Sequence, residues 1–205
     1  AKAAATADVL SRGRLLLGVA SGDRPEEYPA LNRSFGDRGT AFRESFDYIR
    51  QMGKSSPAFE NEFGSPKGGI DMLPKPTSGK LPLFITGGSQ QDPEWIARNG
   101  DGWMTYPRNL AVQARIIQEL RSQTASRADK PVMQPLYVDL TADPDTRPQP
   151  IHLGFRLGVN HLREYLKSLE QVGMNHVALN LRFNQADIET TLQRLANDIL
   201  PDFAS

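Results

Sequence analysis

Short apolar runs alternate with amphipathic helical runs along the whole chain, and small residues stand where the early apolar runs end. Arg14-Leu15-Leu16-Leu17-Gly18-Val19 leads into Ala20-Ser21-Gly22, and Leu81-Pro82-Leu83-Phe84-Ile85-Thr86 leads into Gly87-Gly88. A third run, Trp103-Met104-Thr105-Tyr106, is stopped by Pro107. Runs of this length flanked by turn residues read as buried strands, and strands separated by helices read as a parallel sheet with helices packed outside it. The pattern predicts helices over 1–10, 37–52, about 91–99, 109–124, 159–172 and 185–200, the last stopped by Pro201. It predicts further strands over Val132–Leu140 and His176–Leu181, with a short extra strand over Ile151–Phe155 after a Pro/Asp turn region, Asp143–Pro150. Phe42, Phe46 and Ile49 fall on one helical face, as do Val112, Ile116, Ile117 and Leu120. A doubly wound sheet and a (β/α)8 barrel both satisfy this order; the chain supplies five main strands where a full barrel has eight.

One stretch breaks the alternation. Residues 53–80 hold four Pro, five Gly and four Ser with little periodicity. A connection this long is either a lid or binding loop, or a surface insertion without a role.

The charge balance narrows the partners. Lys+Arg and Asp+Glu each number 24, so the formal net charge is zero, and the basic footprint that drives nucleic-acid or anionic-lipid binding is missing. Without a cysteine there is no disulfide, thiolate nucleophile or Cys-ligated metal. The three histidines, His152, His161 and His176, lack metal-ligand spacing, and no nucleophile-elbow string is present. No apolar run reaches membrane-span length, and the opening AKAAATADVL has no apolar signal core. The expectation is a cytoplasmic protein with no metal, nucleic-acid or membrane partner.

Three places carry candidate chemistry. Gly87-Gly88-Ser89-Gln90, between a strand and a helix, is either a tight turn or a cradle in which backbone amides, the helix start and the Ser89 hydroxyl face a phosphate. Asp92 would compete with such an anion, so it must face away or cap the helix. At the end of the third strand, Thr105 and Tyr106 either flank a flat ring, or Trp103 and Met104 are core and Tyr106 is a surface aromatic. Ser21 and Gly22, followed by Arg24, Glu26 and Tyr28, either leave room for a ligand or form a solvated loop.

Taken together these segments resemble a family. Ala3 to Val19, with Asp8-Val9-Leu10-Ser11-Arg12-Gly13-Arg14 and Leu17-Gly18-Val19, resembles the helix 3 to strand 4 segment of luciferase-like flavin-dependent monooxygenases, although Ala20 stands where that family usually has glycine. Leu83 to Arg108 is similar to their strand 5, helix 5 and strand 6, and Gly173 to Arg182 to their strand 8. The resemblance implies a (β/α)8 barrel represented by strands 4–8, with strands 1–3, about 100 residues of normal barrel layout, absent from the sequence by truncation or supplied by a partner chain. It implies reduced FMN or, in one branch, the deazaflavin F420 as cofactor. Gly87, Gly88, Ser89 and Gln90 would hold the flavin phosphate, Thr105 and Tyr106 would lie beside the ring or ribityl chain, and Ser21 and Gly22 would lie at the strand 4 rim. It further implies oxidation of a small organic substrate with O2, a flavin reductase as a possible supplier, and a homodimer or larger assembly. The resemblance identifies no catalytic residue. A non-catalytic flavin-binding module is the reading from a different functional class.

Overall fold

The computed structural model describes residues 1–123 and 130–203. The chain divides into two compact units, Ala1–Trp103 and Met104–Ser205, each taken by itself below.

In the first unit, helix α1 (Lys2–Leu10) leads through Gly13, at φ +77°, into strand β1 (Leu17–Val19). Sequence predicts a buried strand from Arg14; the observed strand is shorter and half-exposed, with Leu16 left 52% accessible. The reason is its position: within this unit β1 pairs on one side only, in parallel with strand β2 (Leu83–Thr86), Leu17 opposite Leu83 and Val19 opposite Ile85. β2 is the buried strand, with Leu83, Phe84 and Ile85 at 3% accessibility or less. Between them lie a one-turn helix α2 (Glu27–Ala30), which periodicity alone does not reveal, and helix α3 (Arg38–Met52). α3 buries Phe42 and Phe46, and both rings meet Trp95 edge-on. Trp95 belongs to helix α4 (Pro93–Asn99), shorter than the predicted 91–99 because Asp92 is its N-cap and Pro93 its first residue. Strand β3 (Gly102–Met104) follows. It starts one residue earlier than expected and ends before Thr105.

Residues 53–80 contain no helix or strand, only the isolated bridges Ala58–Lys67 and Asn61–Gly64. The loop is nevertheless tied down. The buried Asp8 carboxylate accepts the Thr77 amide at 2.8 Å, Met72 is buried, and Phe59 and Phe63 pack edge-on against Tyr48 of α3.

A three-point latch joins this loop's end to the sheet. The Asp101 carboxylate accepts the Leu83 amide at 2.9 Å and Lys80 Nζ at 2.8 Å, and it also pairs with Arg50 of α3. Burial alone would raise the Asp101 carboxyl pKa. The hydrogen bonds from Lys80, Leu83 and Arg50 outweigh that and hold it below the ordinary carboxylate value.

In the second unit, helix α5 (Leu110–Ser122) is capped by Asn109, whose side chain accepts the Val112 amide at 3.0 Å; the predicted last residue, Thr124, lies outside the described residues. Strand β4 (Val132–Leu140) alternates as expected, with Val132, Leu136 and Val138 fully buried. The region expected to hold one short strand instead forms an antiparallel hairpin, β5 (Gln149–Ile151) and β6 (Gly154–Leu157), turning at His152-Leu153 with Leu153 at φ +50°. The sheet here is therefore mixed rather than wholly parallel. β6 runs parallel to the C-terminal half of β4, and strand β7 (His176–Asn180) runs parallel to its N-terminal half. Helix α6 (Val159–Gln171) buries Leu162, Leu166 and Leu169. Helix α7 (Ile188–Asp198) starts at its Asp187 cap, later than predicted, and Pro201 sits inside a 3-10 turn, Leu200–Asp202, rather than simply ending the helix. Among the described residues, no helix is long and apolar enough to cross a membrane.

Candidate functional site

The turn after β2 has an unusual backbone. Gly87, Ser89 and Gln90 all have positive φ, at 60°, 46° and 58°, a region that residues with a Cβ enter rarely and at some cost. Two anchors hold it. The Trp103 indole donates to the Gly87 carbonyl at 2.8 Å. The Gln91 side-chain amide donates to the Ser89 carbonyl at 3.0 Å and to the Gly39 carbonyl of α3 at 2.9 Å, while Arg43 donates to the Gln91 side-chain oxygen and lies 3.6 Å from Asp92.

What the anchors leave over is a row of donors. Among the described residues, the amides of Gly88, Ser89 and Gln90 find no hydrogen-bond acceptor, whereas the next amide, Gln91, donates to the Gly88 carbonyl at 2.8 Å. Gly88 is exposed, and a Cβ added there would meet nothing within 4 Å. The turn therefore combines acceptor-free amides with open space at Gly88, and close approach of a phosphate needs both.

Two parts of the sequence expectation change. The Ser89 hydroxyl is not free for a ligand; it donates to the Thr86 carbonyl at 2.8 Å and the residue is buried. The helix start contributes little, because α4 has only seven residues, its first has no amide hydrogen, and the Asp92 carboxylate accepts the Trp95 amide at 2.7 Å. Asp92 thus resolves its conflict with an anion by capping.

Ser21 and Gly22 follow β1, whose last residue, Val19, lies opposite Ile85 of β2, so the two strand exits are neighbours. Tyr28 donates to the Ser21 carbonyl, and Gly22, at φ +83°, has the Tyr28 hydroxyl 3.2 Å from where a Cβ would stand. Ser21 lines a cavity of about 620 Å³ in which none of residues 87–90 takes part. Thr105 and Tyr106 belong to the second unit. Thr105 is buried, its amide donating to the Met133 carbonyl at 2.8 Å and its hydroxyl accepting from Arg108 at 2.6 Å, while Tyr106 is 46% exposed. Sequence reasoning missed Gln91 and Arg43, the residues that brace the turn. A polar pair 48 positions apart leaves no local signal.

Comparison with known proteins places this geometry in context. A family model described as luciferase-like monooxygenase matches residues 1–182. Curated relatives include uncharacterized proteins of Mycobacterium bovis and Mycobacterium tuberculosis, each 32% identical over 124 residues, 58% of this chain and 44% of the relative. The match thus spans less than half the length of these relatives. Among solved structures, the monooxygenase RslO1 from Streptomyces bottropensis superposes with a TM-score of 0.78 at 16% identity, covering 98% of this chain and 72% of that one. An F420-dependent secondary alcohol dehydrogenase in complex with an F420-acetone adduct gives 0.74 at 13%, covering 97% and 73%. EDTA monooxygenase from Chelativorans gives 0.73 at 11%, covering 98% and 69%. At these identities the likeness establishes the fold, that of the barrel-type luciferase-like enzymes.

Proposed function

This chain belongs to the luciferase-like monooxygenase family, and we propose that it serves a flavin-dependent oxidoreductase that uses reduced FMN and O2 on a small organic substrate. The observation that carries this reading is the row of acceptor-free amides at Gly88, Ser89 and Gln90 beside the open space at Gly88. Such a row suits the phosphate end of a flavin mononucleotide. The bound flavin would supply the redox chemistry; the chain's part is to hold the phosphate, orient the ring and limit water. In the same reading, β1, β2, β3, β4 and β7 correspond to strands four to eight of a (β/α)8 barrel, with the β5–β6 hairpin as an addition, and loop 53–80 acts as its lid. Thr105 and Tyr106 would lie toward the ring, and Ser21 and Gly22 at the rim. Reduced flavin would come from a separate reductase, and the active assembly would be a dimer or larger.

F420 is the second reading for the cofactor, favoured by the dehydrogenase among the fold relatives, which binds it. The turn serves either cofactor through the same phosphate contact, so separate titrations with FMN and F420 decide between them.

The test of the phosphate contact is a substitution in open space. Gly88→Glu brings a carboxylate beside the turn from a Cβ that meets no protein atom within 4 Å. FMN affinity should fall by at least ~10-fold, the worth of one to two charge-assisted hydrogen bonds, while riboflavin, which lacks the phosphate, binds the wild type and the variant alike. Equal losses for both ligands would place the phosphate elsewhere.

A further inference from the structure

A cavity lies against β1. Its apolar wall is the face of α3 carrying Phe42, Phe46 and Ile49, and Phe63 from the long loop also lines it. Its volume, about 620 Å³, is in the range that encloses a drug-sized organic molecule.

One cation in its lining is unspent. Arg38 stacks on the Phe35 ring at 3.7 Å and donates one N–H to the Phe35 carbonyl at 2.7 Å, a neutral acceptor. Its Nε is buried with no hydrogen-bond partner, and among the described residues no carboxylate lies within ion-pair distance of it. The guanidinium thus carries its charge without a counter-charge, and the stacking fixes the group in place for a planar anion. The other lining arginine, Arg33, is already paired with Glu62 at 3.4 Å. Asp37, exposed beside Arg38, adds one negative charge to the lining. One available cation with a carboxylate nearby favours a monoanion over a phosphate dianion. Phenylalanine rings on the walls favour a flat apolar body.

We propose that this cavity binds an organic monocarboxylate with a ring-sized apolar body, its carboxylate on Arg38 and its ring against Phe42, Phe46 and Phe63. None of residues 87–90 lines it, although Ser21, which the flavin reading places at the rim, does.

The test is calorimetric titration of the full chain with 2-naphthoate and, separately, with 2-naphthamide, which has the same body without the charge. Naphthoate should bind at least ~10-fold more tightly, as expected for a charge-assisted contact. Arg38→Met should bring the two ligands to equal affinity, and Ser45→Trp, which fills the cavity from α3, should remove both. Thermal melts confirm that each variant is folded. Gly88→Glu should leave naphthoate binding unchanged, which separates this site from the turn. Equal binding of acid and amide by the wild type, a preference that survives Arg38→Met, or no binding by folded wild-type protein would each overturn the proposal.

Discussion

Gly154→Ala is expected to unfold the second unit or lower its melting temperature by at least ~12 °C. Gly154 opens β6 directly opposite Tyr137 in the parallel pairing with β4. A Cβ there would fall on the Tyr137 carbonyl oxygen, 2.6 Å from the carbonyl carbon and 2.8 Å from the amide nitrogen. All three are backbone atoms of a central strand, so no side chain can swing away; β6 must leave β4. With it would go the Tyr137 amide's bond to the Leu153 carbonyl at 3.1 Å and the Thr141 amide's bond to the Leu157 carbonyl at 3.0 Å. Overpacking that cannot relax, together with lost ladder bonds, costs upward of ~3 kcal/mol. In a unit of this size that is a shift of about 12 °C or more. Gly88→Ala is the control, since its Cβ meets nothing; it should stay within ~0.5 kcal/mol of wild type. Differential scanning calorimetry reads both. A Gly154→Ala melt within ~2 °C of wild type would mean the hairpin is not seated on β4 as described.

Asp101→Ala should cost the first unit about 2–4 kcal/mol. The loss exceeds that of a surface ion pair because the carboxylate serves three donors at once and is only 21% accessible. Removing it strands the Leu83 amide at the start of the most buried strand and leaves the one-fifth-exposed Arg50 guanidinium with only its carbonyl acceptors, chiefly Leu81 at 2.6 Å. The pH dependence follows from the lowered pKa. The carboxyl is held below its ordinary value of 3.8, so its contribution is fully present above that value, where the unfolded chain is also ionised. It is lost as pH falls through the lower folded value, where the native carboxylate takes up its proton. Wild type should therefore lose stability on acidification below about pH 4, and Asp101→Ala should lose less over the same window. Asp101→Asn, which keeps an acceptor for the Leu83 amide, should fall between the two. Chemical unfolding across about pH 2–7 reads this; parallel wild-type and Asp101→Ala curves would contradict the latch.

Sequence carried the long periodic elements well. The stripe of Phe42, Phe46 and Ile49 gave α3, and the alternation from Val132 to Leu140 gave β4, because burial of one face is written directly into residue spacing. Elements fixed by long-range contact were not legible. The β5–β6 hairpin depends on Gly154 passing against the Tyr137 backbone, and β1 is half-exposed because of where it lies in the sheet, neither of which is a local property. At the candidate site, the small residues at 87 and 88 marked the turn, and Asp92 was recognised as either a conflict or a cap. Which groups remain available was not readable. The Ser89 hydroxyl is consumed by Thr86 three residues back, and Gln91 spends its side chain on Ser89 and Gly39. Arg38 drew no reading from the sequence; that its guanidinium stacks on Phe35 is a matter of how the helix start folds back.

The most direct measurement is an amide-resolved NMR titration of the chain with FMN, with riboflavin and inorganic phosphate run in parallel. The amide protons of Gly88, Ser89 and Gln90 should move downfield with FMN and with phosphate and stay in place with riboflavin. Saturable FMN binding that leaves those three resonances where they were would contradict the assignment of the turn to the phosphate.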